Sequence, residues 1–200
     1  MGYIDVTESY YYQANIGYTF SLVALYLFFI LGVTNAINLA DWLDGLGGGA
    51  TLLSFSMMAL LAFESNNMNV LIVVLAILGS VFGFMRYNTH PAKVFMGDTG
   101  SLLLGFLLGV LSIIICHSEN NAYVKTLPLL LVGLPVFDTL FVMAYRISRG
   151  RSPFHADKNH FHHRLMNNGL KHQEAVLLIY LIQVFFVLLA YFMRYNNEIS

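Results

Sequence analysis

Long apolar runs alternate with short polar connections along the whole chain. A helix needs about 20 mostly apolar residues to cross a bilayer. The runs are continuously apolar rather than alternating, so the pattern favours helices over strands. The sequence predicts six membrane-spanning helices, at residues 18–37, 49–64, 69–86, 101–117, 124–145 and 174–194. We therefore expect an all-α, polytopic integral membrane protein, with residues 1–200 forming a single membrane domain.

Composition supports a membrane protein. Hydrophobic residues make up 58% of the 200 residues, charged residues make up 10%, and the mean hydropathy is +0.67. Soluble domains are about half apolar and a quarter charged. The single cysteine, Cys116, lies inside an apolar run, which excludes a disulfide framework and a cysteine-based metal site.

The distribution of charge separates two faces. Six helices would place the connections 38–48, 87–100 and 146–173 on one face, and the termini with the remaining turns on the other. Basic residues are enriched on the cytoplasmic side of membrane proteins. The first face is therefore predicted to be cytoplasmic, because the other face holds only Lys125 and Arg194 and the first holds Arg86, Lys93, Arg146, Arg149, Arg151, Lys158, Arg164 and Lys171.

Four polar residues recur every three positions at the end of the first apolar run: Asn35, Asn38, Asp41 and Asp44. This spacing keeps them roughly on one face if the helix continues. They form either a polar helix end followed by a glycine hinge or a binding surface, since polar groups at membrane depth need partners. The glycines 47–49 would let backbone approach a ligand closely.

A second polar cluster ends in the stretch 93–101, Lys-Val-Phe-Met-Gly-Asp-Thr-Gly-Ser. Asp98 offers a hard carboxylate that suits either Mg²⁺ or a helix cap. Asn88 precedes it, and Arg86 and Lys93 supply positive charge. These charges form either a salt bridge or a pocket for an anionic substrate that carries Mg²⁺.

The third cluster is the long basic loop 146–164. Its Asp157, His160, His162 and His163 are plausible zinc ligands, but cations crowd them. Dense arginine, lysine and histidine favour a phosphate or sugar-phosphate pocket, and a solvated loop that only sets topology is the alternative. The candidate binding residues of this loop are Arg151, Asp157, His160, His162, His163 and Arg164.

Asp138 is an acid inside the fifth apolar run. An intramembrane acid is expected to face the interior of a bundle and to pair with a cation. The sequence predicts an arginine partner such as Arg146, and a structural role is as well supported as a functional one. A transporter would also use such a residue, but transporters gather polar residues at the midplane rather than at one face.

These three clusters resemble the polyprenyl-phosphate N-acetylhexosamine-1-phosphate transferases. That family has an Asn-Ala-x-Asn-Leu-x-Asp-x-x-Asp-Gly-Leu segment, a Val-Phe-Met-Gly-Asp-x-Gly-Ser segment and a late His-x-His-His loop, and the chain has all three in order over about residues 30–172. The His160-Phe-His162-His163 form is similar to the branch that uses UDP-GlcNAc, whereas the branch that uses UDP-MurNAc-pentapeptide has three adjacent histidines.

The resemblance implies transfer of a sugar-1-phosphate, GlcNAc-1-phosphate in the first place, from a UDP-N-acetylhexosamine to polyprenyl (undecaprenyl) phosphate, with release of UMP. It implies Mg²⁺, with Mn²⁺ as an alternative, a plasma (bacterial inner) membrane location with cytoplasmic site loops, lipid contacts, a homodimer and no nucleic-acid partner. It assigns Asp98 to the metal, and Asn38, Asp41 and Asp44 to the nucleotide and phosphates. The histidine loop would hold the sugar phosphate, which makes the candidate catalytic residues Asp41, Asp44, Asp98, His160, His162 and His163, and the candidate substrate-binding residues Asn35, Asn38, Asn88, Lys93, Arg151, Asp157 and Arg164.

Two features depart from the family pattern. The family carries an Asp-Asp pair and further helices in its N-terminal half, and this chain contains no Asp-Asp. The chain is thus a C-terminal portion, a product that a separate upstream piece completes, or a non-catalytic relative that binds UDP-sugar or lipid phosphate. Trp42 stands where the family usually has a small residue, and would either narrow the nucleotide pocket or lie among lipid headgroups.

Overall fold

The computed structural model describes residues 6–117, 127–152 and 160–195, with side chains within 19–116, 127–152 and 160–195. In these ranges the chain forms helices and no strand. The helices are α1 (Val6–Ala40), α2 (Leu46–Glu64), α3 (Met68–Asn88), α4 (Gly97–His117), α5 (Leu127–Leu131), α6 (Gly133–Ser148), α7 (Phe161–Asn167) and α8 (His172–Tyr195). The predicted all-α membrane architecture is confirmed, because five of these helices are long and apolar enough to cross a membrane.

Five predicted spans match helices closely. The spans 49–64, 69–86, 101–117 and 174–194 each lie within one observed helix, which extends a few residues beyond them. The first helix, Val6–Ala40, extends well beyond the predicted span at its N-terminal end. The third helix ends at Asn88, before Pro91, as expected for a residue that cannot continue a helix.

The fifth predicted span, 124–145, was wrong as one continuous helix. Its described part is interrupted at Val132, between α5 and α6. Pro135 has no N–H, so the carbonyl of Leu131 loses its normal partner one turn later. That carbonyl instead accepts hydrogen bonds from Ser54 Oγ (2.7 Å) and Gln183 Nε2 (2.9 Å). Two neighbouring helices therefore satisfy the broken turn.

The amide of Gln183 joins three helices in the apolar interior. It is fully buried, donates to Ser54 Oγ (3.0 Å) as well as to Leu131, and its Oε1 accepts from Leu134 N (3.1 Å). Hydrogen bonds between helices, together with close packing, hold membrane bundles together. This junction fixes the start of α6, and with it the position of Asp138.

Helices α1 and α4 pack backbone to backbone. A Cβ atom on Gly105 would lie 2.7 Å from Thr34 Cα, and one on Gly109 would lie 3.3 Å from Ile30 Cα. Small residues spaced four apart are the usual means of such close approach in membranes. The contact brings the cytoplasm-predicted ends of α1 and α4, which carry Asn38 and Asp98, next to each other.

The two ends of the bundle carry different contacts. Glu64 accepts from Arg194 Nη1 (2.8 Å) and from Tyr191 (3.0 Å) at one end. All three sequence clusters lie at the other end, where Asp44 meets His90 and Asp138 meets His160. The sequence correctly predicted that the three connections share one end of the molecule.

Candidate functional site

Helix α1 stops at Ala40, so the condition under which the four polar residues would share one helical face is not met. The chain turns as Asp41 N donates to Asn38 O (3.3 Å), and Gly45 then adopts a left-handed φ of 82° before α2. Such a φ favours glycine. Asp41 and Asp44 therefore lie on a turn, and Asn35 stays exposed on α1.

The glycines 47–49 receive side chains of this chain rather than leaving bare backbone for a ligand. A Cβ on Gly47 would lie 2.9 Å from Asp41 Oδ1, and one on Gly48 would lie 2.6 Å from Met85 Sδ. Gly49 contacts the ring of Tyr180, whose hydroxyl donates to Gly45 O. The glycine run lets Asp41 fold back over the first turn of α2.

A cavity of about 320 Å³ opens between this turn and the start of α4. Its lining is more polar than that of the cavity between Asp44 and Tyr180. Trp42 borders it and is 72% exposed, so its indole lies at the rim. The residues that line it come from both sequence clusters: Asn38, Leu39, Asp41, Trp42, Leu43, Asp44, Asn88, Phe95, Gly97 and Asp98.

Two carboxylates, Asp41 and Asp98, face this cavity together. Asn38 Nδ2 donates to Asp98 Oδ1 (3.0 Å) and to Ser101 Oγ (2.9 Å), which fixes Asp98 in the first turn of α4. Burial, and secondarily the negative charge of Asp98, raise the pKa of Asp41 to about 6. Among the described residues neither carboxylate forms an ion pair with a lysine or arginine. Paired oxygen ligands without a cationic side chain fit a hard divalent cation.

Asp44 faces a different set of partners. Its Oδ2 accepts from His90 Nδ1 (2.9 Å) and from Ala92 N (3.1 Å), while its backbone oxygen lies 3.2 Å from His172 Nε2. The hydrogen bond from the Ala92 backbone, followed by that from His90, lowers the pKa of Asp44. Asp44 is thus a carboxylate held by donors at the border of the cavity.

Three further predicted binding residues differ in their surroundings. Asn88 lines the cavity, but its amide joins the backbone of Gly45 (3.1 Å) to that of Val94 (3.0 Å). Lys93 and Arg151 are exposed and lie outside the lining of the cavity. Asn88 therefore holds the loop in place, and the two cations remain near the surface.

The histidine segment is anchored by Asp138 of α6. Asp138 Oδ2 accepts from His160 Nδ1 (3.0 Å), and its Oδ1 accepts from Phe161 N (2.7 Å) at the start of α7. A carboxylate on Nδ1–H fixes the ring orientation and leaves Nε2 as the other polar atom. The side-chain partner of Asp138 is thus His160. The prediction that Asp138 pairs with an arginine such as Arg146 was wrong.

The other histidines stack behind His160. His162 is only 2% exposed, and its ring lies parallel to that of His160 at 5.9 Å and 4.3 Å from that of His163. Burial, and secondarily the nearby His163, lower the pKa of His162 to about 4. His163 is partly exposed, and Arg164 lies over the ring of Phe141 at 5.1 Å. Of the three histidines, His163 is the most accessible.

The histidine segment and the aspartate turn are in contact through apolar packing. Leu43 and Leu46 belong to one buried cluster against which Phe161 and Leu165 pack. A small cavity beneath them is lined by Ala40 and Leu46 on one side and by Asp138 and His162 on the other. The structure therefore brings all three clusters into one region, apart from Asp157, which lies outside the described residues.

Sequence reasoning singled out Asp138 as an intramembrane acid but did not predict its contact with His160. It missed two residues entirely, His90 and His172, which were not singled out. Their rings stack at 4.2 Å beside Asp44, from which they are separated by 46 and 128 residues in the chain. No local pattern could have placed them there, although the position of His90 between Asn88 and Pro91 was a usable signal.

Comparison with known proteins supports the predicted resemblance. The chain is 42% identical over 162 residues to a probable undecaprenyl-phosphate N-acetylglucosaminyl 1-phosphate transferase of Bacillus subtilis, covering 81% of this chain and 45% of that protein. It is 35% identical to a decaprenyl-phosphate N-acetylglucosaminephosphotransferase of Mycolicibacterium smegmatis, covering 80% of this chain and 44% of that protein. It is 41% identical to a phospho-N-acetylmuramoyl-pentapeptide-transferase of Desulforamulus reducens, covering 82% and 47%.

The chain spans about half the length of these curated relatives. The sequence profile of glycosyl transferase family 4 matches residues 3–116, which include the aspartate turn and Asp98. The fold, the order of the motifs and the profile agree. This membrane protein belongs to glycosyl transferase family 4, a family of transferase enzymes.

Proposed function

We propose that this chain forms the donor-substrate side of a transferase that moves GlcNAc-1-phosphate, or a close N-acetylhexosamine analogue, from a UDP-sugar to undecaprenyl phosphate. The reaction would begin the synthesis of a lipid-linked cell-envelope glycan. The observation that carries the proposal is the polar cavity that Asp41 and Asp98 line together, with no lysine or arginine among its described lining residues.

The residues of the cavity suit a nucleotide diphosphate with its metal. Asp98 and Asp41 would hold Mg²⁺, or Mn²⁺ as an alternative, which would offset the charge of the phosphates and polarise their oxygens. Asn38 would hold Asp98 in position through its hydrogen bond. Asp44, at the border of the cavity, would contact the nucleotide side, and the exposed Trp42 would stack on or shield a base at the rim.

The histidine segment would bind the sugar phosphate. His163 is the accessible member and would donate to a phosphate oxygen, while Asp138 holds His160 and the start of α7 in place. Arg164 and Arg151 add positive charge near the surface. Fixed donors aimed at phosphate oxygens are the main means by which proteins promote phosphoryl transfer.

The proposed transfer reaction does not require a strong base. An oxygen of the polyprenyl phosphate attacks the phosphorus that bears the sugar, and the bond from that phosphorus to the bridging oxygen of the diphosphate breaks. UMP leaves with the bridging oxygen and its electron pair. The attacking phosphate is already anionic near neutral pH, so positioning and charge compensation are the main demands on the protein.

The proposal includes a bacterial plasma membrane location with this site on the cytoplasmic face, and the positive-inside bias supports that orientation. A homodimer, which the resemblance implies, belongs to the proposal and would be tested by the mass of the detergent-solubilised protein.

The decisive experiment measures UMP release from UDP-GlcNAc by the purified chain with undecaprenyl phosphate and Mg²⁺. An Asp98→Asn variant is the matched control, because it keeps an acceptor for Asn38 and removes only the charge. Metal-dependent release that the substitution abolishes would support the proposal. UDP-GlcNAc binding would be measured in parallel by calorimetry.

Binding without release would favour the second candidate, a membrane subunit that binds the UDP-sugar without turning it over. The absence of both UMP release and Mg²⁺-dependent UDP-GlcNAc binding would overturn the proposed function. UDP-MurNAc-pentapeptide as a competing donor separates the two branches of the family, since relatives of both kinds match this chain with similar identity.

A further inference from the structure

A second cluster of metal-ligating side chains lies on the other side of Asp44 from the polar cavity. Asp44, His90 and His172 each offer one ligand atom, and these atoms lie within 4.8 Å of one another. They come from three separate parts of the fold: the turn before α2, the loop after α3 and the first residue of α8. It is the one such group in the described part of the chain.

Both histidine rings aim a nitrogen at the same residue. His90 Nδ1 lies 2.9 Å from Asp44 Oδ2, and His172 Nε2 lies 3.2 Å from the backbone oxygen of Asp44. The rings are stacked at 4.2 Å with an angle of 25° between their planes. Two nitrogens and two oxygens therefore converge on one small region, with only hydrogen-bond protons between them.

The cluster also has an orienting contact and open space. Ala92 N donates to Asp44 Oδ2 at 3.1 Å, which holds the carboxylate toward His90. Partners of this kind commonly orient metal ligands. All three side chains line a cavity of about 250 Å³ between α3 and α8, which gives room for an ion, its water ligands and a turn of the partly exposed His90 ring.

We propose that Asp44, His90 and His172 bind a borderline transition-metal cation of the Zn²⁺ class, at a site separate from the Asp41–Asp98 cavity. Imidazole nitrogens with one carboxylate suit Zn²⁺, Co²⁺ or Ni²⁺, whereas Mg²⁺ prefers oxygen ligands alone. The cation replaces the hydrogen-bond protons between the histidines and Asp44. It then joins the turn, the loop and α8 through direct bonds.

Asp44 borders both cavities. A cation bound to its carboxylate would therefore also fix how Asp44 is oriented at the edge of the Asp41–Asp98 cavity. A ligand bond to Oδ2 fixes the carboxylate on the side of His90. The role is structural or regulatory rather than catalytic. Its test is independent of the proposed transfer reaction, because it measures Zn²⁺ binding through His90 and His172, to which the proposed function gives no role.

The test measures Zn²⁺ binding to the full chain in detergent, purified without a histidine tag. The protein competes for Zn²⁺ with a chromophoric chelator. We expect one equivalent of tightly bound Zn²⁺ in the wild type. His90→Asn and His172→Asn should each weaken Zn²⁺ binding by at least about tenfold. Loss of a residue that only hydrogen-bonds to a metal ligand already lowers metal affinity by about 10- to 100-fold. Asp98→Asn and His163→Asn are matched controls that should bind as the wild type does.

Binding that survives both His90→Asn and His172→Asn, or that Asp98→Asn removes equally, would overturn the proposal, as would the absence of stoichiometric binding. Circular dichroism and thermal melting check that the variants fold. A second measurement needs no variant: Zn²⁺ should protect His90 and His172, but not His163, from diethylpyrocarbonate, as mapped by mass spectrometry. Equal modification of all three with and without Zn²⁺ would also contradict the site.

Discussion

Asp41 and Asp44 are three residues apart in one turn, yet their surroundings are opposite. Asp41 is half-buried beside a second carboxylate, and its pKa is raised to about 6. Asp44 accepts hydrogen bonds from His90 and the Ala92 backbone, and its pKa is lowered. A nearby cation would therefore stabilise the charge of Asp41 most, whereas hydrogen bonds already stabilise the charge of Asp44.

Asp138, which contacts the histidine segment, resembles Asp44 rather than Asp41. Asp138 is held by His160 and by Phe161 N, as Asp44 is held by His90 and Ala92 N. Among the described residues, Asp44 and Asp138 are each held by a histidine and a backbone N–H, whereas Asp41 and Asp98 line one cavity as a pair of carboxylates. All four residues are aspartates, so their surroundings differ only through the groups that contact each carboxylate.

The strongest test of the contrast replaces each aspartate by asparagine and measures Mg²⁺-dependent transfer. Asp98→Asn should slow UMP release by at least about a thousandfold, equivalent to about 4 kcal/mol, because it removes a metal ligand. Asp41→Asn should have an effect of similar order. Asp44→Asn should cost about tenfold or less, and an effect of Asp44→Asn equal to that of Asp98→Asn would break the comparison.

The next largest effect is expected for Asp138→Ala, measured as the free energy of unfolding in detergent. The change leaves His160 Nδ1–H and Phe161 N–H without their acceptor. A buried donor left unpaired costs roughly 1–3 kcal/mol, so the loss should be about 3 kcal/mol. Asp138→Asn keeps one acceptor oxygen and should lose about half as much, and Thr139→Ala serves as a neighbouring control.

The buried His162 should make stability sensitive to acid. Its pKa is about 4 in the folded protein and near 6.5 when unfolded, so the unfolded state binds the proton first. Stability is complete above pH 6.5 and is lost as the pH falls toward 4, by about 2 kcal/mol between pH 7 and pH 5. The measurement is the unfolding free energy across this range, and the slope should flatten in His162→Gln.

The smallest effect concerns stability at the turn itself. Asp44→Ala should destabilise the protein by about 1 kcal/mol, because Ala92 N and His90 lose a partly exposed acceptor. Asp41→Asn should be neutral or slightly stabilising without divalent cations, because it removes repulsion from Asp98. Thermal melting of the two variants side by side would reveal whether the two carboxylates really differ.

The sequence predicted the helices well because apolar length is a strong local signal. It also predicted that the three clusters meet, since alternate connections of a bundle share one end. It failed at α5 and α6, where the partner that accommodates Pro135 is Gln183, 52 residues from the Leu131 carbonyl it binds. It did not predict that α1 ends at Ala40, so it left open whether Asp41 and Asp44 lie on the helix or on a turn.

The site residues divide in the same way. Asn38 and Asp98 were identified from local motifs, and the structure brings them together. The contacts of Asp44 with His90 and His172, and of Asp138 with His160, are tertiary, so spacing along the chain could not predict them. Asn88 was expected to bind substrate, and its amide instead joins two backbone segments.

The glycine contact between α1 and α4 has a consequence for sequence variation. Gly105 lies about two turns below Asp98, and Thr34 lies one turn below Asn38. The distance at which the two helices cross therefore sets the width of the cavity mouth, although neither residue lines it. Selection on the shape of this cavity should consequently restrict position 105 to the smallest side chain, although that position lies outside the cavity lining.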